Sequence, residues 1–441
     1  MLTGADGSAT ITANSSGNSR IDAVVLYIDR AASPNAACSN VAKLIVIAGT
    51  PAASPVAPTN AEIASSIGAS NPYLRLADVT VASGATSISD ANIKDRRVAA
   101  IYSTNVTPNA SFLYRNAIVN SCFDVAQLGT TFTSATTPAN NDDTYLLDMW
   151  NLISDGNDAV DVSQESSEVP EGATYSLKLD VETSKRFGIV QFLEFVDAKK
   201  FKGKRVSISF AVKSANIAAI RAAVLSWGST ADSITSDIVS SWAATPTWAA
   251  NWTAENTPED LTVTSDWSIV KIENIYIDSA TVNNLALAIW LPNEETVTDV
   301  IYISKVQMNE GEYAFDHQAR PFIDEVRLCE RFFEKSHNMS IAPATATSAG
   351  AEMFSMGTNS ANYVRQKVVF KTRKRSAPTI AVYDHAGTSS RMTGVLQNTS
   401  EVDGVNTHAI EGQGDTGFYF WFNKASTYSG CSFEYTADSR L

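Results

Sequence analysis

Tyr313 to Ser336 reads YAFDHQARPFIDEVRLCERFFEKS, and it is the one strong helix signal in a chain that otherwise reads as short strands and turns. Pro321 suits the first helical position, where no amide donor is needed, while Asp324 and Glu325 suit the positive end of the helix and Lys335 the negative end. Phe322, Val326, Cys329 and Phe333 follow at spacings of 4, 3 and 4, which sets them on one stripe. A helix of about 15 residues, roughly 22 Å long, is marginal alone in water, so such a stripe has to be covered. With β-type sequence on both sides, the reading is a connector helix over 317–337 that packs against its own copies.

Working outward, the first hundred residues form a β module over 1–103. The runs Ala23–Asp29, Lys43–Ala48 and Leu74–Val81 alternate as half-buried strands do, and Pro51, Pro55 and Pro58 predict an extended loop between the second and third. A polar stretch with Pro108 over 104–116 reads as a linker. From 117 to 316 the strand candidates are Tyr175–Val181, Gly188–Phe192, Arg205–Val212, Ile269–Ile277, Leu285–Leu291 and Val300–Val306. Many short strands divided by turn residues predict a jelly-roll β-sandwich. After the helix, Arg365–Lys371, Thr379–Tyr383 and Gly417–Asn423 predict a C-terminal β tip over 338–441. The fold class is therefore mainly β.

Composition narrows the function. The chain has 441 residues, is 44% hydrophobic and only 18% charged, and carries a formal net charge of −14. Long-range repulsion disfavours nucleic acid as a partner. No uninterrupted apolar run of 18 or more residues is present, so no membrane insertion is expected, and the first thirty residues lack the pattern of a signal peptide. Cys38, Cys122, Cys329 and Cys431 are scattered without a CxxC pair, which predicts small buried apolar residues and no metal. No nucleophile, phosphate-loop or zinc motif occurs, none of His317, His337, His385 and His408 lies in one, and no catalytic residue or cofactor is assigned.

The junction residues Phe315, Arg320, Pro321, Glu325, Cys329, Arg331, Phe333, Glu334 and Lys335 resemble a phrase of bacteriophage tail-fibre and minor tail proteins. Asn120–Thr133, Trp150, the run GKRVSISFAVKS from Gly203, and Trp267 with Trp290 are similar to the carbohydrate-binding-module-like jelly roll of such fibres. One departure is that Ala126 and Leu128 stand where the family commonly has an aromatic and a basic residue. The first block is similar to N-terminal modules of phage baseplate and tail-appendage proteins. The resemblance implies a non-enzymatic virion protein, a homotrimer attached to other tail or baseplate proteins through its N-terminal module, that meets a bacterial surface glycan. It also implies assembly in the host cytoplasm. Rival readings are a collar, neck or capsid fibre that touches no receptor, and a polysaccharide depolymerase.

Candidate contact residues follow from sugar chemistry, since pyranose rings present apolar C–H faces that a flat aromatic ring can cover. Trp242, Trp248 and Trp252, in SSWAATPTWAANW, form one candidate platform. Tyr419 and Trp421, in GFYFWFN, form a second. On that strand Phe418, Phe420 and Phe422 point the other way, so both faces are expected to be covered, one of them by sister subunits. Trp227, Trp267 and Trp290 lie within strand patterns and are assigned to packing. Asp142, Asp143, Asp148, Asp155, Asp158 and Asp161 crowd one region; solvated turn carboxylates are the main reading, with calcium or glycoside hydrolysis as alternatives. Arg373, Lys374 and Arg375 read as a solvated basic turn.

Overall fold

The computed structural model describes residues 10–32, 41–96, 116–355, 363–396, 400–423 and 428–441. Cys38 and the expected linker, apart from Asn116, lie outside them. The chain divides into two compact units, Met1–Thr107 and Pro108–Leu441.

In the first unit four antiparallel strands lie in the order Ala42–Ile47, Arg20–Ile28, Tyr73–Val81 and Ile93–Asp95. Ala23, Val25, Ile47, Ile63 and Ile67 form its core. The last two belong to a helix, Asn60–Ile67, where only an extended loop was expected. Thr59 and Glu62 cap it reciprocally, the Thr59 side chain accepting from the Glu62 amide and Glu62 from the Thr59 amide.

The second unit begins with a β-sandwich. One sheet has seven strands: Trp252–Ala254, Ala219–Trp227, Asn284–Trp290, Phe187–Leu193, Asn151–Ser154 and Thr144–Tyr145 in spatial order, with Leu261–Thr262 also joined to Ala219–Trp227. The other runs Ser268–Tyr276, Arg205–Lys213, Val300–Glu310, Ser176–Val181, Val160–Glu165 and Thr131–Phe132. Alternate residues meet between them, Leu285, Leu287 and Ile289 from one sheet facing Ile208, Phe210 and Val212 from the other in one buried core. This is the expected jelly-roll-like sandwich, and Ala219–Trp227 is a central strand absent from the strand candidates.

The helix corrects several expectations. It spans Phe322–Glu330, with Pro321 at the N-cap rather than inside, and Phe333 starts a strand, Phe333–Lys335, that pairs with Tyr428–Asp438. Val326 and Cys329 are buried with Phe332, Val125 and Met149 of the same chain, and Phe333 is 5% exposed. Val125, Met149, Phe332 and Met339 of the chain itself cover Val326 and Cys329, so that part of the stripe offers no face to a sister subunit. Only Phe322 and Ile323, each 55% exposed, remain open. The junction is instead held by one buried and one half-buried ion pair. Arg320 bonds Glu325 at 2.9 Å and donates to the carbonyls of Ile118 and Asn116, while Arg331 grips Glu194 through two bonds of 2.8 and 2.9 Å. Such paired charges over-determine how the sandwich meets the C-terminal region.

The C-terminal region is a second sandwich. A six-stranded sheet built on Tyr428–Asp438 faces a three-stranded sheet ordered Tyr363–Val369, Gly417–Asn423, His408–Gly414. Phe418, Phe420 and Phe422 are fully buried against Met392, Cys431, Phe433 and Tyr435, and the Phe420 and Phe433 rings stack at 3.8 Å. These three phenylalanines were expected at an interface between copies; the long final strand, absent from the strand candidates, covers them within one chain. Lys374 is buried as well, not solvated, with its ammonium 2.6 Å from Glu334. Among the described residues no helix is long and apolar enough to cross a membrane, and Cys122, Cys329 and Cys431 are buried free thiols.

Candidate functional site

The tryptophan platform splits in two. On the outer face of the seven-stranded sheet, Ile153, Val190, Phe192, Ala223, Leu225, Ala286, Ala288 and Trp290 form a second apolar layer, because these strands alternate apolar with apolar. Such a face demands a cover, and the loop after Ala219–Trp227 supplies it. Trp252 sits 5.2 Å from Trp227 and 5.8 Å from Phe192 and donates its indole N–H to the Thr235 carbonyl. At 5% exposure it is a root of the cover, not a platform, which corrects the expectation for it.

Trp242 and Trp248 are half-buried above this layer. Trp248 lies on the small hairpin Val239–Ser241 and Thr247–Trp248 and meets Trp290 edge-on at 5.3 Å. Trp290 donates to the Ala244 carbonyl, Arg221 bridges Asp260 and the Thr245 hydroxyl, and Ser240 donates to the Thr247 carbonyl. The hairpin is thus held to the sheet at several points. Ser241, Thr245 and Thr247 are exposed on the same hairpin, the Thr245 hydroxyl accepting from Arg221. The arrangement can offer an apolar ring face and hydroxyl partners without reorganising.

The second platform also differs from expectation. The Phe418 side of its strand is covered, but the Tyr419 side is open, with Tyr419 39% exposed and Trp421 half-buried. Arg365 lies 4.7 Å over the Tyr419 ring and pairs with Glu411 at 2.9 Å, so part of that ring is already occupied. Trp267, assigned to packing, is only half-buried and stands 6.4 Å from Tyr302 at the end of the six-stranded sheet. The signal that would have placed it outside is the alternation of Val300–Glu310, where Ile301 and Ile303 face the core and Tyr302 cannot.

The aspartates are mostly committed locally. Asn140 donates to Asp158 and Asp161 at 3.0 and 2.9 Å, Asp142 accepts from the Ser154 amide, Asp143 from Asn151 and Ser236, and Asp148 from Gln127. Desolvation, then Glu182 and other carboxylates, lift Asp161 to about 6. Among the described residues no three His, Cys, Asp or Glu side chains converge in a metal-holding group. His317 is pushed down to about 4, chiefly by burial, and meets the Ser121 hydroxyl at 3.0 Å.

No protein-family model and no curated protein matches the sequence. Part of the chain is similar to several solved structures. One is TmCBM61 in complex with β-1,4-galactotriose, at 14% identity and TM-score 0.27, over 45% of this chain and 99% of that one. Another is the enzymatically active domain of tailspike protein 4 of bacteriophage CBA120, at 12% identity and TM-score 0.29, over 45% of this chain and 22% of that one. A third is the CBM22-1 xylan-binding domain of Xyn10C from Paenibacillus barcinonensis, at 15% identity and TM-score 0.25, over 40% and 94%. Likeness at this level says nothing of what this chain binds.

Proposed function

We propose that this chain is a binding component of a bacteriophage tail fibre or baseplate appendage, in which the sandwich contacts a glycan of the bacterial surface. Its work is adhesion, not bond breaking. The observation that carries the reading is the hairpin on which Trp248 is half-exposed yet fixed edge-on against buried Trp290, and which also exposes Ser241, Thr245 and Thr247. A ring already held in place loses little freedom when a sugar covers it, which favours binding. The phage setting is supported by the resemblance of the junction residues Arg320, Pro321, Glu325, Cys329 and Arg331.

Within the proposal the N-terminal unit docks on other tail or baseplate proteins, the protein is assembled in the host cytoplasm and carried in the virion, and three copies associate so that weak contacts multiply. With its stripe spent inside the chain, the helix has Phe322 and Ile323 left to offer a copy. Light scattering tests this part: a particle of a single 47.3 kDa chain removes the trimer.

The test of the reading is Trp248→Ala. We expect about tenfold weaker binding to host polysaccharide, and weaker competition with phage adsorption, at unchanged folding. Unchanged affinity would dismiss the hairpin. New reducing ends on incubation with that polysaccharide would favour a depolymerase instead.

A further inference from the structure

The outer face of the six-stranded sheet is built differently from its roofed counterpart. Cross-strand register places Lys213 opposite Tyr302, Tyr302 opposite Lys178, and Lys178 opposite Ser163. Val212, Ile303, Leu177 and Val162 lie in the sandwich core, so these four neighbours point away from it. Val212 pairs with Ser268, which brings Trp267 to the end of the same row, and its ring lies 6.4 Å from that of Tyr302 at 56°. All five side chains are half-buried, whereas farther along the same face Ser207, Ser209, Gln307 and Asn309 are buried, Gln307 donating to the Phe315 carbonyl and Asn309 to the Tyr313 carbonyl. The row crosses five strands, a span of roughly 19 Å. Beside Lys213 and Tyr302 lies a cleft of about 430 Å³ whose other walls include Glu168, Asn216, Ser265 and Thr298.

The charge of the row selects its ligand. Both ammonium groups are matched, Lys213 to Glu168 at 2.5 Å and Lys178 to Asp180 at 2.8 Å. Asp180 is in turn opposite Asp161, and Asp299 borders the cleft through its 2.8 Å bond from Asn216. Carboxylates outnumber cations here, so an acidic polymer would be repelled. What is left is a polar, aromatic-ended strip with amide, hydroxyl and paired charged groups, suited to hydroxyls and C–H faces.

We infer that this row is a second glycan site, one that takes a neutral linear oligosaccharide lying across the strands, with Trp267 at one end and Tyr302 in the middle receiving sugar rings and Lys178 and Ser163 contacting hydroxyls at the other end. The inference rests on the glycan-binding reading but not on the Trp248 hairpin, which packs on the opposite sheet.

The experiment uses the full chain and a printed panel of linear neutral and acidic bacterial oligosaccharides, with the strongest neutral member then titrated calorimetrically. Wild type is expected to bind neutral members only, and Trp267→Ala and Tyr302→Ala each to weaken titrated affinity at least about tenfold. Lys178→Ala, a surface change that leaves the core untouched, is expected to weaken it about threefold and serves if either aromatic variant melts early. Unchanged affinity in all three, with loss in Trp248→Ala, overturns this site and leaves the glycan reading intact. Binding to acidic members alone overturns the site's assigned ligand and with it the proposal. Binding to no member overturns both.

Discussion

The two outer faces of the central sandwich are made of different strands and have different fates, one roofed and the other left half-exposed along the row at Lys213, Tyr302 and Lys178. On Asn284–Trp290 every residue is buried, with Leu285, Leu287 and Ile289 inward and Ala286, Ala288 and Trp290 outward beneath the tryptophan loop. On Ser176–Val181 and Val300–Glu310 the inward residues are equally apolar, but Lys178, Asp180 and Tyr302 point outward. A strand apolar on both faces has to be covered, and a strand with one polar face can stay open. The cover leaves two indoles half-exposed at its surface, whereas the other face sets Trp267 at the end and Tyr302 in the middle of a polar row. The C-terminal region repeats the contrast within a single strand: Phe418, Phe420 and Phe422 are sealed, and Tyr419 is not.

The largest expected effect comes from breaking the cover. Trp252→Ala should destabilise the protein by about 3–5 kcal/mol in a denaturant titration, since it removes a buried indole that contacts both Trp227 and Phe192. A loss under about 1 kcal/mol would mean that the loop is not a cover. Phe420→Ala, measured beside Tyr419→Ala, sharpens the same point on one strand. The first should cost about 3–5 kcal/mol and the second under about 1 kcal/mol, and equal costs would erase the distinction between faces.

A titration reads the cost of sealing polar groups. Glu434 is fully buried with neither carboxylate oxygen bonded to another residue, and desolvation, then Asp384 and Asp403, lift it from 4.5 to about 7. The folded state holds a proton the unfolded chain has shed, so this group's contribution falls as pH rises from about 4.5 to 7. Glu434→Gln should therefore be more stable than wild type at pH 8, by on the order of 2–3 kcal/mol, with the gap closing near pH 4. His337 gives the opposite slope: burial first, then Lys335 and Lys371, hold it near 4, so stability is lost as pH falls from 6.5 to about 4. A difference between Glu434→Gln and wild type that grows toward low pH would contradict this assignment. The smallest effect is expected on the open face, where Lys178→Ala should cost under about 1 kcal/mol because its pair with Asp180 is partly solvated.

Much of this architecture is legible in the sequence. The alternation of SLKLDV against the unbroken apolar run NLALAIW already separates an open sheet face from a covered one. The helix stripe correctly demands a partner, but periodicity states only that a surface is covered, never by what. Its partners, Val125 and Met149, lie some two hundred residues earlier in the chain, and no local rule reaches them. Trp252 and Trp248 are four residues apart, yet Trp252 is buried opposite Trp227 in the sheet and Trp248 tops the hairpin, because they lie on different strands. The first-unit helix is announced by Thr59 and Glu62 and masked by the prolines before it. The final strand carries Cys431, Phe433 and Tyr435 at period two and is readable on that ground alone.

Carbene footprinting of the full chain, with and without the best-binding neutral oligosaccharide, tests the roofed and open faces together. Trp227, Trp252 and Trp290 should stay unlabelled throughout, while Trp267 and Tyr302 should label in the free protein and become protected by the sugar. Labelling of Trp252 at the level of Trp267, or no protection at Trp267 and Tyr302 when the sugar is bound, would contradict the account.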